Sequence, residues 1–316
     1  IEGKKCFEVI GKKEKCPACI SNNTLITGEI SKKEEIIGDK IYNVISSPVK
    51  TNKGEIIAAV EVFRDITKEK ELAKNLEMKN KRMSSDIQFA KNMQERMLPI
   101  PGIYNGLFIN YLYKPSEMLS GDIFDVYKID HDHTGIYICD VVGHGVTASL
   151  LTIFVRQSLR TISKNETNIN KIIGQLHKTF LALNLDSDKY FSVFFGIYNN
   201  KTKKFNYINA GHNAIPILLR EGEIKLLEAR GYPICNIFDT VSYEINTIYL
   251  QEKDRLILYS DGIVEARDDN GIQFGMPQLL KIVKDEREVL KKIKENVEKH
   301  SNKQTDDYAM LVLDIV

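Results

Sequence analysis

The sequence Ile138-Cys139-Asp140-Val141-Val142-Gly143-His144-Gly145 places a single carboxylate at the point where an apolar run ends. Residues 136–142 are apolar and rich in β-branched side chains, which predicts a buried strand, and residues 146–162 have the periodicity of a helix. The two glycines of the stretch favour a tight turn between strand and helix. Asp140 is therefore expected at the tip of a strand, where a carboxylate is costly to bury unless a cation or a hydrogen-bond network meets it.

Acidic residues recur at the ends of other apolar runs in the chain. The three further segments are Ser120-Gly121-Asp122, Asp261-Gly262 and Thr305-Asp306-Asp307. Strand-edge acids drawn from such widely separated segments are predicted to converge on one site. Oxygen-only ligands of this kind suit hard cations such as Mg²⁺ or Mn²⁺ rather than zinc.

The composition describes a globular protein without a strong charge bias. The 316 residues are enough for one large domain and a smaller one, and 43% of them are hydrophobic. Lysine and arginine (44) nearly balance aspartate and glutamate (43), so nothing favours nucleic acid or an acidic membrane surface as a partner. No apolar run approaches the ~18 residues of a membrane span. The sequence begins at Ile1 without Met, so an upstream sensor or membrane segment is an open expectation.

Residues 1–67 form a small amino-terminal module whose clearest element is a hairpin. Two β-rich runs, 40–49 and 55–63, flank a polar turn that contains glycine. With Ser47-Pro48-Val49 before the turn and Arg64-Asp65-Ile66-Thr67 after the second run, this segment resembles the carboxy-terminal half of a PAS sensor domain. The front half of such a domain is absent, so we expect a partial PAS-like α/β module whose ligand the sequence does not identify.

Three cysteines lie in this module, as Cys6 and as the pair in Cys16-Pro17-Ala18-Cys19. A CxxC pair beside a third cysteine can hold zinc or an iron–sulfur cluster, or can act as a thiol switch. Because the sequence supplies no fourth ligand, reduced structural cysteines are the simpler interpretation, and a sensing role for Cys6, Cys16 and Cys19 is the alternative. With Cys139 and Cys235, the cysteines are few and odd in number, which favours a reducing cytoplasm over a disulfide scaffold.

Residues 68–100 are predicted to form a helical linker, because neither Gly nor Pro occurs before Pro99. Apolar residues keep a seven-residue step along it, which is the spacing of a coiled-coil seam. They are Leu76, Met83, Ala90 and Met97. Polar residues at the alternate seam positions, Lys79 and Asp86, predict a weak coil. A solvated connector is the plain interpretation, whereas we favour a helix that forms a homodimer through residues 68–98 and carries a signal to the second domain.

Residues 101–316 form the larger domain. Polar turns at 198–203 and 220–223 join successive strands as hairpins, and a pair of helices follows the third strand. Strands joined by hairpins imply antiparallel sheets, and the inserted helices imply an α+β fold. The predicted strands are 107–113, 123–129, 135–142, 190–198, 204–210, 214–220, 224–228, 241–250, 254–260 and 307–315, and the predicted helices are 146–163, 168–185, 275–284 and 285–299.

This domain contains five short motifs rich in Asp, Gly and His. They are Ser120-Gly121-Asp122-Ile123-Phe124-Asp125, Asp140-Val141-Val142-Gly143-His144-Gly145, Asn209-Ala210-Gly211-His212-Asn213, Ser260-Asp261-Gly262-Ile263-Val264-Glu265-Ala266 and Thr305-Asp306-Asp307. In this order and approximate spacing they resemble the SpoIIE/RsbU-type phosphatases, the bacterial branch of the metal-dependent PP2C (PPM) serine/threonine phosphatases. Five motifs in order are far more specific than any one alone. The resemblance implies an αββα sandwich, in which two antiparallel sheets are flanked by helices.

The resemblance also implies roles for the acidic residues. Asp140 would bridge two Mn²⁺ or Mg²⁺ ions, with the carbonyl of Val141 as a further ligand. Asp261 and Asp306 would complete one metal, and Asp122 would hold the second largely through water. Two such cations, roughly 3.5–4 Å apart, lower the pKa of a shared water and brace the phosphoryl oxygens, so no cysteine or serine nucleophile is needed. Asp140 and Asp122 are thus the residues expected to carry catalysis.

Supporting roles are predicted for five further residues. Asp125 is expected to face outward or to lie in an outer shell around the metals, and so is Asp307, because neighbours on a strand point to opposite sides. His144 either packs the turn or acts as a general acid behind the ligands. His212 is expected to lock the loop after the strand 204–210. Lys114 is the candidate for binding the substrate phosphate, since the phosphate-binding arginine of eukaryotic PP2C has no clear match.

These features together predict a cytoplasmic, metal-dependent phosphatase that acts on phosphoserine or phosphothreonine of a protein. The family resemblance implies a phosphorylated anti-sigma-factor antagonist of the STAS fold as substrate, in a partner-switching pathway gated by the amino-terminal module. Two alternatives use the same residues differently. One is a two-metal phosphodiesterase or nuclease, which the neutral charge balance disfavours, and the other is a non-catalytic signalling scaffold whose acids only form turns.

Overall fold

Antiparallel strand pairing builds three sheets in the computed structural model, which describes residues 2–285 and 288–316. The chain divides into two units, Ile1–Ser85 and Asp86–Val316. The expected division into residues 1–67, 68–100 and 101–316 stays a prediction. Across the described ranges, no helix combines the length and apolar character that crossing a membrane requires.

The first unit contains one antiparallel sheet of three strands in the order β1-β2-β3. A helix packs on its middle strand, where the Thr24 hydroxyl donates a hydrogen bond to the carbonyl of Ser46 over 3.2 Å. The elements of this unit are α1 (Cys6–Val9), α2 (Ile20–Thr27), β1 (Ser31–Ile37), β2 (Lys40–Lys50) and β3 (Ile56–Asp65).

The predicted hairpin of this unit is confirmed, since β2 and β3 pair directly. In its turn the Thr51 amide donates to the Glu55 carbonyl over 2.8 Å, and Gly54 has a φ of +85°, which favours glycine. Sequence reasoning missed β1, because its residues Ser31–Ile37 are mostly charged although their burial alternates as in a strand. The PAS-like identity of the unit stays a prediction.

The linker is a single helix, α3 (Thr67–Met97), which begins in the first unit and ends in the second. Its start is capped by Asp65, whose carboxylate accepts hydrogen bonds from the Thr67 amide and hydroxyl. The seam residues Leu76 and Met83 are 60% and 61% exposed. The helical prediction is confirmed, and the homodimer stays a prediction.

The second unit is built from two antiparallel sheets with the orders β11-β10-β13-β14-β5-β4 and β12-β9-β8-β7-β6. Its strands are β4 (Gly102–Tyr104), β5 (Leu107–Lys114), β6 (Asp122–Lys128), β7 (His133–Val141), β8 (Phe191–Asn199), β9 (Lys204–Ala210), β10 (Ile217–Arg220), β11 (Glu223–Leu226), β12 (Asn246–Tyr249), β13 (Arg255–Tyr259) and β14 (Tyr308–Ile315). Its helices are α4 (Gly145–Ser163), α5 (Ile169–Leu181), α6 (Asp261–Glu265), α7 (Gly275–Asp285) and α8 (Val289–His300).

Three apolar cores separate the layers of this unit. One lies between the five-stranded sheet and helices α4 and α5, a second lies between the two sheets, and a third lies between the six-stranded sheet and helices α6 to α8. Strands such as β8 are therefore buried on both faces, which explains why their sequences are continuously apolar. This order of layers is the predicted αββα sandwich.

Several predicted elements have other bounds in the structure, among them the helix expected at 168–185, which is Ile169–Leu181, and the strand expected at 214–220, which begins at Ile217. The strand expected at 241–250 shrinks to β12, because the loop before it is fixed by Tyr243, whose hydroxyl donates to the Tyr232 carbonyl over 2.8 Å. The helix expected at 285–299 begins at Val289, and its residues 286 and 287 lie outside the described residues.

Candidate metal and active site

The first two candidate ligands face each other across neighbouring strands. Asp122 on β6 is the direct partner of Asp140 on β7, and Asp140 in turn pairs with Ser192 on β8. Their strand neighbours Phe124 and Ile138 belong to the core between the sheets, so both carboxylates are on the face that meets the opposite sheet. Opposed residues in an antiparallel pair have Cβ atoms about 5 Å apart. The two acids are thus adjacent through backbone register alone.

The other candidate ligands come from the six-stranded sheet. Asp261 lies two residues after the end of β13 and opens α6, while Asp306 lies two residues before the start of β14. Because β13 and β14 pair antiparallel, the end of one strand and the start of the other meet. Gly262 permits this approach, since a Cβ there would lie 2.2 Å from the carbonyl oxygen of Asp307.

These residues meet at one cleft with a volume of 910 Å³. Asp140, Val141, Asp261 and Asp306 all line it, while Asp122 lies beneath, only 4% exposed. Within residues 2–285 and 288–316, no group of three or more acidic, His or Cys side chains is drawn closely enough to enclose an ion. The carboxylates therefore face a shared open space, and ligation of a metal by them stays a prediction.

Three acidic residues of the cleft have raised pKa values, because burial and neighbouring carboxylates disfavour their charged forms. Burial raises the pKa of Asp122 well above its ordinary value, and the nearby charge of Asp140 raises it further. Burial, then the charges of Asp261 and Asp306, raise the pKa of Asp140 to about 7. Burial also raises the pKa of Asp306. Such a group of carboxylates is relieved either by protons or by a cation bound among them.

Asp307 has a structural role in the described network, whereas its neighbour Asp306 lines the cleft. One carboxylate oxygen of Asp307 accepts from the Ser116 amide (2.7 Å) and hydroxyl (2.8 Å). The other accepts from the Ser120 hydroxyl (2.6 Å) and the Gly121 amide (2.8 Å). Asp307 thereby fixes the loop that leads into Asp122 and supports the site from behind, which agrees with the outer-shell role expected for it.

The same loop is held from its other side by Gln94, which sequence reasoning missed. Gln94 is the buried residue of α3, and its side-chain oxygen accepts from the Ser120 amide over 3.0 Å. Its side-chain nitrogen donates to the Ser120 carbonyl (2.8 Å) and to the Thr152 hydroxyl of α4 (3.1 Å). A polar residue in a charged helix gives no sequence signal for such a contact.

His212 joins the two sheets next to the candidate ligands. Its Nε2 donates to the Tyr259 carbonyl over 3.0 Å, and its Nδ1 accepts from the Ser192 hydroxyl over 3.4 Å. Burial lowers the pKa of His212, so the ring is neutral and this tautomer satisfies both contacts. Asn209 closes the loop by bonding the amide and carbonyl of His212. His212 thus links β8, the strand next to that of Asp140, to the end of β13, two residues before Asp261.

Asp125 faces away from the cleft, which agrees with the first of the two positions expected for it, and it takes no part in an outer shell around the site. It lies three residues from Asp122 and therefore on the opposite face of β6. There it is fully buried and accepts two hydrogen bonds from Arg160 of α4, at 2.6 and 3.0 Å. Asp125 anchors α4 to the sheet.

Lys114 is also placed differently from the expectation. Its Nζ lies 2.7 Å from the Glu298 carboxylate and over the ring of Tyr308, and it is absent from the described lining of the cleft. The cation on that lining is Lys303, in the loop before Asp306. A single lysine in a polar loop carries no sequence signal, which is why it was missed.

His144 lies at the mouth of the cleft. It is the N-cap residue of α4, its side chain is 75% exposed, and its Nδ1 is 3.2 Å from the carboxylate of Glu117. Both side chains line the cleft. Its role, whether in packing the turn or in proton transfer, stays a prediction.

Comparison with known proteins identifies the family. The model of the family Stage II sporulation protein E (SpoIIE) matches residues 130–316. The phosphoserine phosphatase RsbU of Bacillus subtilis is 26% identical over 240 residues, which cover 73% of this chain and 70% of RsbU. The phosphoserine phosphatase RsbP of the same organism is 28% identical over 187 residues, which cover 57% of this chain and 45% of RsbP.

A solved structure supports the same fold. The PP2C domain of SiaA from Pseudomonas aeruginosa superposes with a TM-score of 0.63 at 17% identity, covering 75% of this chain and 98% of that domain. The chain therefore belongs to the SpoIIE family, and its second unit has the fold of the PP2C-type phosphatases.

Proposed function

We propose that the chain is a metal-dependent phosphatase that hydrolyses phosphoserine or phosphothreonine in a protein. The observation that carries the proposal is the convergence of Asp122, Asp140, Asp261 and Asp306 at one cleft between the two sheets. Family membership and the names of RsbU and RsbP support the same reaction.

The donor set fits two Mn²⁺ or Mg²⁺ ions. Its members are carboxylates, which hard divalent cations prefer, and burial together with neighbouring carboxylates raises the pKa values of Asp122 and Asp140, which a bound cation would lower. Asp140 and Asp122 would hold the ions with Asp261, Asp306 and the Val141 carbonyl. When bound, two such ions supply an activated water at neutral pH and stabilise charge on the phosphoryl oxygens.

The remaining side chains of the cleft bind and orient the substrate. Lys303 is placed to attract the phosphate group, which a lysine binds as a point charge. His144, on the exposed rim and beside Glu117, is placed to hold a proton for the leaving serine or threonine oxygen. An open cleft of 910 Å³ admits a side chain carried on a protein surface.

We further propose that the substrate is a phosphorylated anti-sigma-factor antagonist of the STAS fold, in a partner-switching pathway of the cytoplasm. Similarity to RsbU over 73% of this chain supports this choice. The five cysteines are all free thiols, which suits a reducing compartment.

Gating by the amino-terminal unit is proposed through α3. The exposed seam at Leu76 and Met83 offers a surface for a second copy of the helix. At the other end of α3, the Gln94 side chain forms hydrogen bonds with both the amide and the carbonyl of Ser120. Ser120 lies two positions before Asp122. A shift of the helix therefore reaches a candidate metal ligand through one side chain.

Replacing Asp140 with Asn should abolish the reaction. The substitution removes the carboxylate that faces Asp122 across the strand pair and interacts with the charges of Asp261 and Asp306, so Mn²⁺-dependent hydrolysis of a phosphoserine protein should fall by more than the ~10–100-fold typical of losing an outer-shell group. Phosphate release with and without Mn²⁺ measures this. Asp188→Asn is the matched control, because Asp188 is an exposed acid paired only with its neighbour Lys189. Equal Mn²⁺-dependent rates in both variants would exclude the site, and turnover of DNA, RNA or cyclic nucleotides instead would favour a phosphodiesterase.

The metal-free protein should lose stability as pH rises. Because the pKa of Asp140 in the folded state, about 7, exceeds its ordinary value of 3.8, the folded state binds the proton more tightly and is favoured at low pH. That contribution disappears as pH rises through about 7. The thermal midpoint of metal-free wild type should therefore drop between about pH 5 and about pH 8 more than that of Asp140→Asn. Added Mn²⁺ should reverse the drop in wild type. Parallel curves for the two proteins would contradict the electrostatic account.

Replacing Lys303 with Ala should weaken substrate binding. Losing the cation of the cleft should raise KM for the phosphoprotein by roughly threefold to tenfold, with a smaller effect on kcat, as expected for an exposed charge. Lys114→Ala is the control, because Lys114 is paired with Glu298. Steady-state kinetics of both variants provide the measurement. A larger increase in KM for Lys114→Ala than for Lys303→Ala would support Lys114 as the residue that binds the phosphate.

Replacing Gln94 with Ala should loosen the metal site. The change leaves the buried amide of Ser120 without its acceptor, at a cost of about 1–3 kcal/mol, and removes a support of the Asp122 loop. The Mn²⁺ concentration for half-maximal activity should rise several-fold. Gln88→Ala provides the control on the same helix, since Gln88 is exposed and bonds only to Asn92. An unchanged Mn²⁺ requirement in Gln94→Ala would argue against coupling through α3.

A further inference from the structure

The cysteines of the first unit share one small cavity. Cys6, Cys16 and Cys19 line a space of 20 Å³ together with Glu35 and Glu61. All three are free, Cys6 is exposed, and the other two are partly exposed. They are thus brought together by the fold and remain accessible to small reagents.

The local backbone brings Cys16 and Cys19 close to each other. They flank a bend at Pro17 and Ala18, and two intervening residues is the spacing of the redox-active CxxC pairs. Cys19 is the N-cap residue of α2, where the helix dipole favours negative charge.

The charges around the cavity distinguish Cys16 from Cys6. Lys12 donates to the Cys16 sulfur over 3.6 Å, and both Lys12 and Lys33 also pair with Glu35. Lys12 therefore contacts Cys16 directly, while Lys33 and the carboxylates of Glu35 and Glu61 line the same cavity. Burial, then the charge of Glu61, raise the pKa of Cys6, so that thiol stays protonated.

We propose that Cys16 and Cys19 are a redox-active dithiol, with Cys16 as the nucleophile and Lys12 as its positioning residue. The oxidant is a low-molecular-weight disulfide. The Cys16 thiolate attacks one of its sulfurs, forming a mixed disulfide and releasing one thiolate. The Cys19 thiolate then attacks the Cys16 sulfur and releases the second thiolate. Two protein thiols become one disulfide, the external disulfide becomes two thiols, and the two protons pass from the protein thiols to the released ones.

A metal site formed by the same cysteines is the competing interpretation. Three thiolates suit zinc, but structural zinc sites take four protein ligands and this unit supplies three cysteines. The Lys12 contact instead favours a nucleophilic thiolate. The dithiol does not depend on the proposed phosphatase reaction.

The full chain is equilibrated with mixtures of oxidised and reduced glutathione, acid-trapped, alkylated and mapped by mass spectrometry. We expect an intramolecular Cys16–Cys19 disulfide that forms and is reduced reversibly. The buried Cys139 and Cys235 serve as internal controls that remain reduced. In separate samples, the rate of iodoacetamide labelling at Cys16 is followed against pH.

Matched lysine variants test the nucleophile. Lys12→Met should slow the labelling of Cys16 several-fold near neutral pH and shift its pH profile upward, because the cation at 3.6 Å is removed. Lys13→Met, which changes the exposed neighbour, should label like wild type. Far-ultraviolet circular dichroism of both variants checks that the unit stays folded. Absence of the disulfide at every glutathione ratio, equal labelling in the two variants, or stoichiometric zinc that blocks labelling would overturn the proposal.

Discussion

Crowding several carboxylates into one partly buried cleft is electrostatically unfavourable, and the rest of the second unit is arranged to withstand that repulsion. Asp122 and Asp140 are direct partners in an antiparallel ladder, so their proximity is set by main-chain hydrogen bonds. Side chains that were free to rotate apart would separate until a cation arrived. Burial, followed by the charges of Asp261 and Asp306, raises the pKa of Asp140 to about 7, so its charged form is disfavoured in this cleft. A cation bound among these carboxylates relieves their mutual repulsion, and this relief contributes to the free energy of binding.

The strands that carry these acids are held by side chains that are either uncharged or fully satisfied by hydrogen bonds. The carboxylate of Asp307 accepts four hydrogen bonds from Ser116, Ser120 and Gly121, and this fixes the loop in front of Asp122. His212 remains neutral because it is buried, and it bridges the two sheets without adding a charge that would compete with a metal. The neutral His212 and the fully hydrogen-bonded carboxylate of Asp307 therefore hold the strands in place without adding positive charge to the cleft.

The sequence predicted the αββα layers and the acids that line the cleft, because both depend on local patterns. Apolar runs ended by Asp and Gly mark strand tips, and hairpin turns mark antiparallel sheets. The supporting contacts depend on tertiary distances that no local pattern encodes. Gln94 lies in a charged helix and Lys303 in a polar loop, and neither differs in composition from a solvent-exposed residue. Asp125 faces away from the cleft, as its three-residue distance from Asp122 indicates, but its partner Arg160 is a tertiary contact that the spacing does not identify.

The same contacts indicate which candidate ligand the linker would affect under the proposed gating. Asp140 lies on β7, which is bonded on both sides by β6 and β8. Asp122 begins β6, an edge strand, directly after the loop that Gln94 and Asp307 hold. Helix α4 also bonds Gln94, through Thr152, but its far end is anchored by Arg160 to the buried Asp125. A displacement of α3 therefore moves the start of an edge strand more easily than a central strand or an anchored helix. We infer that any gating through the linker acts on Asp122, while Asp140 stays fixed as the permanent part of the site.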